Sequence, residues 1–145
     1  MALKISRLLL EQLRKHGEET YPHECCGVLL GAFEEDGDKV VQSLVQCGNT
    51  RTDSPQNRYH ISPGELVRIQ REAMLAGFDI VGFYHSHPDH PALWSVTDLA
   101  EAHWTNCSYV ITSTDKGHAV LTNSFLLQGL EEDKHFEDEA LDVLP

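Results

Sequence analysis

Basic residues are scarce in this sequence. Its 145 residues include 11 Lys and Arg against 23 Asp and Glu, which gives a formal net charge of −12. Binding to the phosphate backbone of nucleic acids requires clustered Lys and Arg, and an anionic membrane surface attracts the same residues. We therefore expect neither nucleic acid nor membrane as a partner, and the charge favours a partner with a basic face.

Long apolar runs are absent as well. The longest ones, such as residues 8–10 and 28–30, are far shorter than the ~18 apolar residues of a transmembrane helix. Residues 1–5 show no basic region followed by an apolar stretch and a cleavage site, so no secretory signal is expected.

The sequence also lacks any Cys-x-x-Cys pair, although it has four cysteines. Structural zinc fingers are built on such closely spaced pairs, so their absence disfavours this class of site. Cys25 and Cys26 are adjacent, which is a poor geometry for a mutual disulfide. Reduced thiols in a cytoplasmic protein are the simplest interpretation.

No internal repeat and no Gly/Ser-rich linker divides the chain. A length of 145 residues is typical of one domain that buries its own core. Residues 131–145 contain seven acidic residues and one Lys, so they carry about half of the net charge. We predict a folded domain over residues 1–129, followed by an acidic C-terminal tail (130–145) that is a helix fragment or lacks structure.

Apolar spacing and capping residues predict three helices. Ile5 opens the apolar periodicity of the first helix, and Ser6 is its candidate cap. The second begins with Ser62-Pro63-Gly64-Glu65, which predicts a capping box with Pro at the first helical position. The third helix is predicted to begin at Ser95. The three predicted helices end at about residue 19, at Gly77 and at about residue 104, respectively.

Short apolar runs bounded by turn residues predict the strands. Two of them form a hairpin about the turn at residues 34–38, and polar residues 48–57 predict a loop. The predicted strands are residues 26–33, 39–47, 58–61, 79–85, 107–112 and 119–127. Together with the helices, this order indicates an α/β fold with a mixed or largely antiparallel sheet.

Two histidines mark the candidate site. His85 and His87 are two residues apart at the end of a predicted strand, so both imidazoles lie on the same side of it. Asp98 lies in the first turn of the helix that begins at Ser95, where its carboxylate can turn back toward the strand end. Two His and one carboxylate leave one position of a tetrahedral zinc open, as in catalytic sites. Non-haem iron enzymes use the same ligand set, so these residues alone leave the metal open.

The spacing of these residues resembles that of a known family. His85-Ser86-His87, seven residues, Ser95, two residues and Asp98 match the signature of JAMM/MPN+ metalloproteases. The upstream segment around Glu24, residues 22–31, resembles the part of these proteins that carries a Glu. The similarity covers about residues 1–127, and it implies a JAMM/MPN (cytidine-deaminase-like) fold, a mixed β-sheet flanked by helices.

The resemblance implies a role for each of these residues. His85, His87 and Asp98 would bind one zinc ion per chain, and Glu24 would be the general base that passes a proton from water to the leaving amine. Ser95 would donate a hydrogen bond to the oxyanion of the tetrahedral intermediate. Without the zinc motif, an exposed charge would be the preferred interpretation of Glu24. Ser95 is also a candidate helix N-cap, and one hydroxyl can serve in both roles.

Other candidates are weaker. His90 fits a loop or substrate contact better than a fourth ligand, and His23 has no assigned role. Trp94 stands where this family often has Pro, and we expect it to be a packing residue together with Trp104. The thiols that follow Glu24 are better explained as small buried side chains than as nucleophiles.

The compact length and the Pro-x-Glu-x-Cys-Gly segment that begins at Pro22 resemble the stand-alone bacterial members of the family. That resemblance implies a hydrolase of a peptide or isopeptide bond at the C-terminal Gly-Gly of a small ubiquitin-fold sulfur-carrier protein, in sulfur transfer or cysteine biosynthesis. A monomer or weak homodimer is expected. The alternative is a non-catalytic MPN scaffold. A zinc deaminase would need a Cys-x-x-Cys pair, which is absent.

Overall fold

Seven β-strands and three α-helices make up the residues that the computed structural model describes, which are 1–49 and 59–145. In chain order they are β1 (Ala2–Ser6), α1 (Arg7–Thr20), β2 (Cys26–Phe33), β3 (Lys39–Cys47), α2 (Pro63–Ala76), β4 (Asp79–Pro88), α3 (Val96–Glu101), β5 (Ser108–Asp115), β6 (His118–Gln128) and β7 (His135–Leu144). A 3-10 turn, Glu131–Asp133, precedes β7. No helix in these two ranges is long and apolar enough to cross a membrane.

The strands form one mixed sheet in the order β1-β3-β2-β4-β5-β6-β7, and β7 pairs with β1 so that the sheet closes. The pairs β1–β3, β1–β7 and β4–β5 are parallel, and the other four are antiparallel. The predicted mixed sheet and the predicted β2–β3 hairpin are both confirmed.

Helices α1 and α2 pack on opposite faces of strand β4. Tyr84 belongs to a buried cluster that includes Leu13 of α1, and its hydroxyl lies 2.9 Å from Nδ1 of His16 on the same helix. Phe83 belongs to a second cluster, which includes Ile69 of α2. Because side chains alternate along a strand, the residues that follow Phe83 at spacing two face the α2 side.

The N-terminal prediction is half correct. Ser6 caps α1, since its hydroxyl accepts a hydrogen bond from the Leu9 amide at 3.2 Å. Ile5, however, lies in strand β1, where it is buried together with Leu3 in an alternating pattern. Strand β1 forms because it can pair with both β3 and β7, which are distant in sequence.

The prediction for the C-terminal segment is wrong in its conformation. Residues 135–144 form strand β7, which pairs antiparallel with β6 and parallel with β1. Its acidic side chains Glu137, Asp138 and Asp142 are exposed, whereas Phe136 and Leu141 are partly buried. A strand that places its charges outward tolerates an acidic composition. The division of the chain at residue 129 stays a prediction.

Most remaining boundaries agree with the predictions. The Ser62 hydroxyl accepts from the Glu65 amide, and α2 stops at Gly77, which adopts φ 82°. Helix α3 ends at Glu101, earlier than predicted, and β4 extends to Pro88. The predicted loop at 48–57 and the start of the strand at 58 fall mainly on residues outside the described ranges, and residues 59–61 are not a strand.

Candidate metal centre

Strand β4 carries both histidines to its C-terminal end. The strand lies between β2 and β5, where Cys26 and Ile111 are the cross-strand partners of His85. The imidazoles of His85 and His87 point to the same side, as predicted, and their Nε2 atoms are 3.1 Å apart. Both side chains are buried.

The capping box of α3 directs the third group toward them. Ser95 is the cap: its hydroxyl accepts from the Asp98 amide at 3.0 Å, and its own amide donates to Asp98 Oδ2 at 2.9 Å. This reciprocal pair fixes the carboxylate at the helix start. Asp98 Oδ1 lies 3.3 Å from His85 Nε2, and Oδ2 lies 3.1 Å from His87 Nε2. The structure therefore brings all three predicted ligand residues together.

The spacing of these atoms fits a divalent metal. With Zn–N bonds of about 2.0–2.1 Å, two ligand atoms of a tetrahedral site are roughly 3.3–3.4 Å apart, close to the distances between these three groups. His87 Nδ1 lies 2.9 Å from the Pro91 carbonyl, which can only accept. The Nδ1 atom therefore carries the proton, and the Nε2 lone pair faces Asp98, as a metal ligand requires.

His85 is held differently. Its Nδ1 is buried and has no hydrogen-bond partner among the described residues. The ring of Tyr59 stacks on it instead, with centroids 4.6 Å apart and planes at 25°. Tyr59 also lines a cavity of about 480 Å³ on the α2 side. Its role was not predicted, because no pattern in the sequence connects it with His85.

The charge states also suit a metal. Burial lowers the pKa of His85, an effect that the neighbouring Asp98 carboxylate only partly offsets. Burial alone would raise the pKa of Asp98, but His85, His87 and the Ser95 amide together hold it well below its usual value. A neutral imidazole at His85 beside an ionised Asp98 carboxylate is the combination of protonation states that metal ligands need.

Glu24 is a buried acid, so the interpretation of it as an exposed charge is wrong. Its residue is 3% exposed, and Oε1 has no hydrogen-bond partner in the described parts of the chain. Burial, then the negative charges of Asp98 and Glu101, raise its pKa to about 9. A carboxyl group in such surroundings needs a proton or a nearby cation, and perturbed acids of this kind mark functional sites.

The weaker candidates lie outside the centre. His23 and His90 are exposed and do not belong to the cluster of ligand atoms. Trp94 packs near Phe136, and Trp104 meets Phe83 edge-on with ring centroids 5.4 Å apart. The expectation of a packing residue is confirmed for Trp104, which packs against the core cluster, whereas Trp94 is 38% exposed.

All four cysteines are unpaired and buried, as predicted. Burial raises the pKa of Cys25 to about 12, and it raises that of Cys26 further. A thiolate nucleophile needs a lowered pKa. The two thiols beside Glu24 are therefore buried packing groups.

Sequence comparisons show which proteins the chain is similar to. The profile of the family described as "Prokaryotic homologs of the JAB domain" matches residues 6–127. A desampylase of Haloferax volcanii is 35% identical over 107 residues, which are 74% of each chain. A probable TtuB-protein conjugate cleaving protease of Thermus thermophilus is 33% identical over 121 residues, 83% of this chain and 76% of that one. The CysO-cysteine peptidase of Mycobacterium tuberculosis is 29% identical over 110 residues, 76% of this chain and 72% of that one.

Solved structures are similar over almost the whole chain. The solution structure of a Salinibacter ruber protein has a TM-score of 0.71 and 38% identity, and the match covers 95% of this chain and 90% of that one. The solution structure of protein DSY2949 from Desulfitobacterium hafniense has a TM-score of 0.82 and 26% identity, over 98% and 92% of the two chains.

Proposed function

The chain belongs to the prokaryotic homologues of the JAB domain, which confirms its resemblance to the JAMM/MPN+ family, and we propose on that premise that it is a zinc metallopeptidase. The observation that carries the proposal is the convergence of His85, His87 and Asp98 in a protein that also buries Glu24. A non-catalytic domain would gain nothing from burying a lone carboxyl group, which costs stability.

His85, His87 and Asp98 would hold the zinc ion. When bound by three protein ligands, zinc lowers the pKa of water and polarises a carbonyl group. Glu24 would take a proton from the attacking water and deliver it to the leaving amine. A nearby cation favours the ionised form of this carboxyl group, which the metal-free protein disfavours. The Ser95 hydroxyl accepts from Asp98 and keeps its own proton to donate to an oxyanion.

The proposed substrate is a peptide or isopeptide bond at the C-terminal Gly-Gly of a small ubiquitin-fold sulfur-carrier protein. The support comes from relatives whose names describe cleavage of a TtuB–protein conjugate and of CysO-cysteine. Glycine has no side chain, so a Gly-Gly terminus can enter a narrow path to a buried centre. Docking of the carrier's globular surface would then provide specificity.

The cellular setting of the proposal is the cytoplasm, with the protein as a monomer or weak homodimer. The cytoplasmic location is supported by the four cysteines, none of which forms a disulfide, because unpaired thiols are typical of reducing compartments. We also propose that the fold is related to that of the cytidine deaminases.

Cleavage of a defined carrier tests the function. The zinc-loaded protein is incubated with a ubiquitin-fold carrier ending in Gly-Gly that bears a C-terminal Cys or a short peptide, and products are identified by mass spectrometry. We expect release of the added group and a product that ends at Gly-Gly. No cleavage of any carrier form by the zinc-loaded protein would favour the alternative, a non-catalytic MPN scaffold.

A further inference from the structure

We propose that the Ser86 hydroxyl and the Asn49 side-chain amide position Glu24, by holding the two polar atoms of the peptide bond that follows it. The inference rests on the proposed function, because it assigns a purpose to the placement of Glu24. Neither residue belongs to the ligand set, and Ser86 lies between the two histidines on strand β4.

Ser86 holds the amide side of this peptide bond. It alternates with His85 and His87, so its side chain lies on the opposite face of the strand, and it is completely buried. Its hydroxyl accepts a hydrogen bond from the Cys25 amide at 2.8 Å, and its own amide donates to the Cys25 carbonyl at 3.3 Å.

This arrangement departs from an ordinary antiparallel ladder. There, the Cys25 amide would donate to a backbone carbonyl of the facing residue; here, a side-chain oxygen takes that place. The departure occurs one residue before β2 begins at Cys26. Glu24 therefore stands at the point where the chain leaves the sheet, and the hydroxyl of Ser86 fixes how it leaves.

Asn49 holds the carbonyl side. Its Nδ2 donates to the Glu24 carbonyl at 3.3 Å, and its Oδ1 accepts from the His60 amide at 3.1 Å. Asn49 thus connects the Glu24 segment to the segment that carries Tyr59, whose ring stacks on His85.

The two bonds together constrain Glu24 through its backbone. A peptide unit is planar, so fixing both its N–H and its C=O fixes the plane that contains the Glu24 Cα. The side-chain carboxyl group of Glu24 is less restrained, since its Oε1 has no hydrogen-bond partner in the described ranges. The position of this carboxyl group consequently depends on the backbone clamp formed by Ser86 and Asn49.

The test compares Ser86→Ala with Thr112→Val. Thr112 is the cross-strand partner of Ser86 on β5, and its buried hydroxyl bonds to Thr122 at 2.7 Å. Both variants remove a buried hydroxyl from the same face of the sheet, but only Ser86→Ala releases the Cys25 amide. Larger residues are avoided at position 86, because α1 approaches closely: a Cβ on Gly17 would lie 3.2 Å from the Ser86 Cβ.

The kinetic measurement uses the zinc-loaded proteins and the carrier with a peptide extension. We expect Ser86→Ala to lower kcat by about 10-fold or more with KM within about twofold, because small misplacements of a catalytic group cost rate rather than binding. Thr112→Val should keep both constants within about twofold. An unchanged kcat in Ser86→Ala would overturn the proposal.

A second measurement is independent of activity and metal. In the metal-free proteins, NMR follows amide exchange of Cys25 and the carboxyl carbon resonance of Glu24. Ser86→Ala should speed the exchange and shift the resonance, whereas Thr112→Val should change neither. Unaltered exchange and resonance in Ser86→Ala would refute the clamp, even if the wild-type protein cleaved no carrier and the proposed function itself failed. Should Ser86→Ala not fold, Asn49→Ala replaces it, since it removes the other half of the clamp, the donor to the Glu24 carbonyl, without adding bulk.

Discussion

The Asp98 carboxylate belongs both to the capping box of α3 and to the candidate metal centre. Its Oδ2 completes the capping box of α3 through the Ser95 amide, and the same oxygen lies 3.1 Å from His87 Nε2. A helix cap is thereby used to direct a metal ligand. The carboxylate is also the only anion of the proposed ligand set, so its loss should affect metal binding more than helix stability.

Asp98→Ala should abolish stoichiometric zinc binding. Changes to groups that only support a ligand cost roughly 10–100-fold in metal affinity, and we expect removal of a ligand itself to cost more. Elemental analysis after gel filtration measures the effect, with about one zinc per chain expected for the wild type. Glu101→Gln removes a carboxylate from the same helix outside the ligand set and should retain the zinc; equal zinc content in Asp98→Ala would remove Asp98 from the site.

At the residue scale, spacing alone predicted the convergence of His85, His87 and Asp98. The period of a strand and the position of a helix cap are local properties, and both are readable from sequence. The burial of Glu24 is different, because it depends on contacts with segments far along the chain. The resemblance to a family pointed to this residue, whereas nothing in the sequence pointed to Tyr59 or Asn49.

Strand β7 is held by a buried ion pair. Lys39 Nζ lies 2.7 Å from Glu139 Oε2, and both side chains are almost fully buried. The hydroxyls of Ser108 and Ser124 donate to the other oxygen, Oε1, at 2.5 and 2.8 Å. Because both carboxylate oxygens of Glu139 have partners, this network attaches the acidic strand β7 to the sheet at a specific position.

Glu139→Gln should destabilise the protein strongly. The change leaves the Lys39 charge buried without a partner, which typically costs about 3–5 kcal/mol. Urea unfolding measures the loss, and Lys39→Met combined with Glu139→Gln should recover part of it because no charge remains buried. Glu34→Gln, which breaks a solvent-exposed pair with Lys4, should leave the free energy of unfolding close to that of the wild type. A similarly small effect of Glu139→Gln would contradict this account.

At the element scale, β2, β3 and α2 could be predicted because turn and cap residues bound them. Strands β1 and β7 could not. Residues 2–6 are too few to show a period clearly, and they pair with a strand that begins more than 130 residues later. In β7 the acidic side chains concealed an alternating pattern, and its buried acid, Glu139, is explained only by Lys39 from another strand.

Closure of the sheet involves both ends of the chain. Residues 2–6 of β1 align with residues 140–144 of β7, and β7 continues the sheet from β6. Among the strands of the described ranges, β7 therefore leaves no free edge between β1 and β6.

A chain that ends at residue 129 should lose cooperative folding or most of its stability, because β1 loses one of its two neighbouring strands and Lys39 loses its buried counter-ion. Thermal unfolding followed by circular dichroism compares it with the full chain and with a chain that lacks only Pro145, which we expect to be unaffected. Cooperative unfolding of residues 1–129 at an unchanged midpoint would instead support a domain boundary at that residue.

The whole molecule combines a closed sheet, a candidate metal centre at the end of β4 and a buried acid where β2 begins. Glu24→Gln tests the central claim, that these parts form a metallopeptidase, because it removes the base and leaves the three ligands. The measurement is the cleavage rate of a Gly-Gly carrier with a peptide extension, taken at equal zinc content. We predict about one zinc per chain in both proteins and a loss of rate of at least about 100-fold in Glu24→Gln. Full activity in that variant would contradict the account.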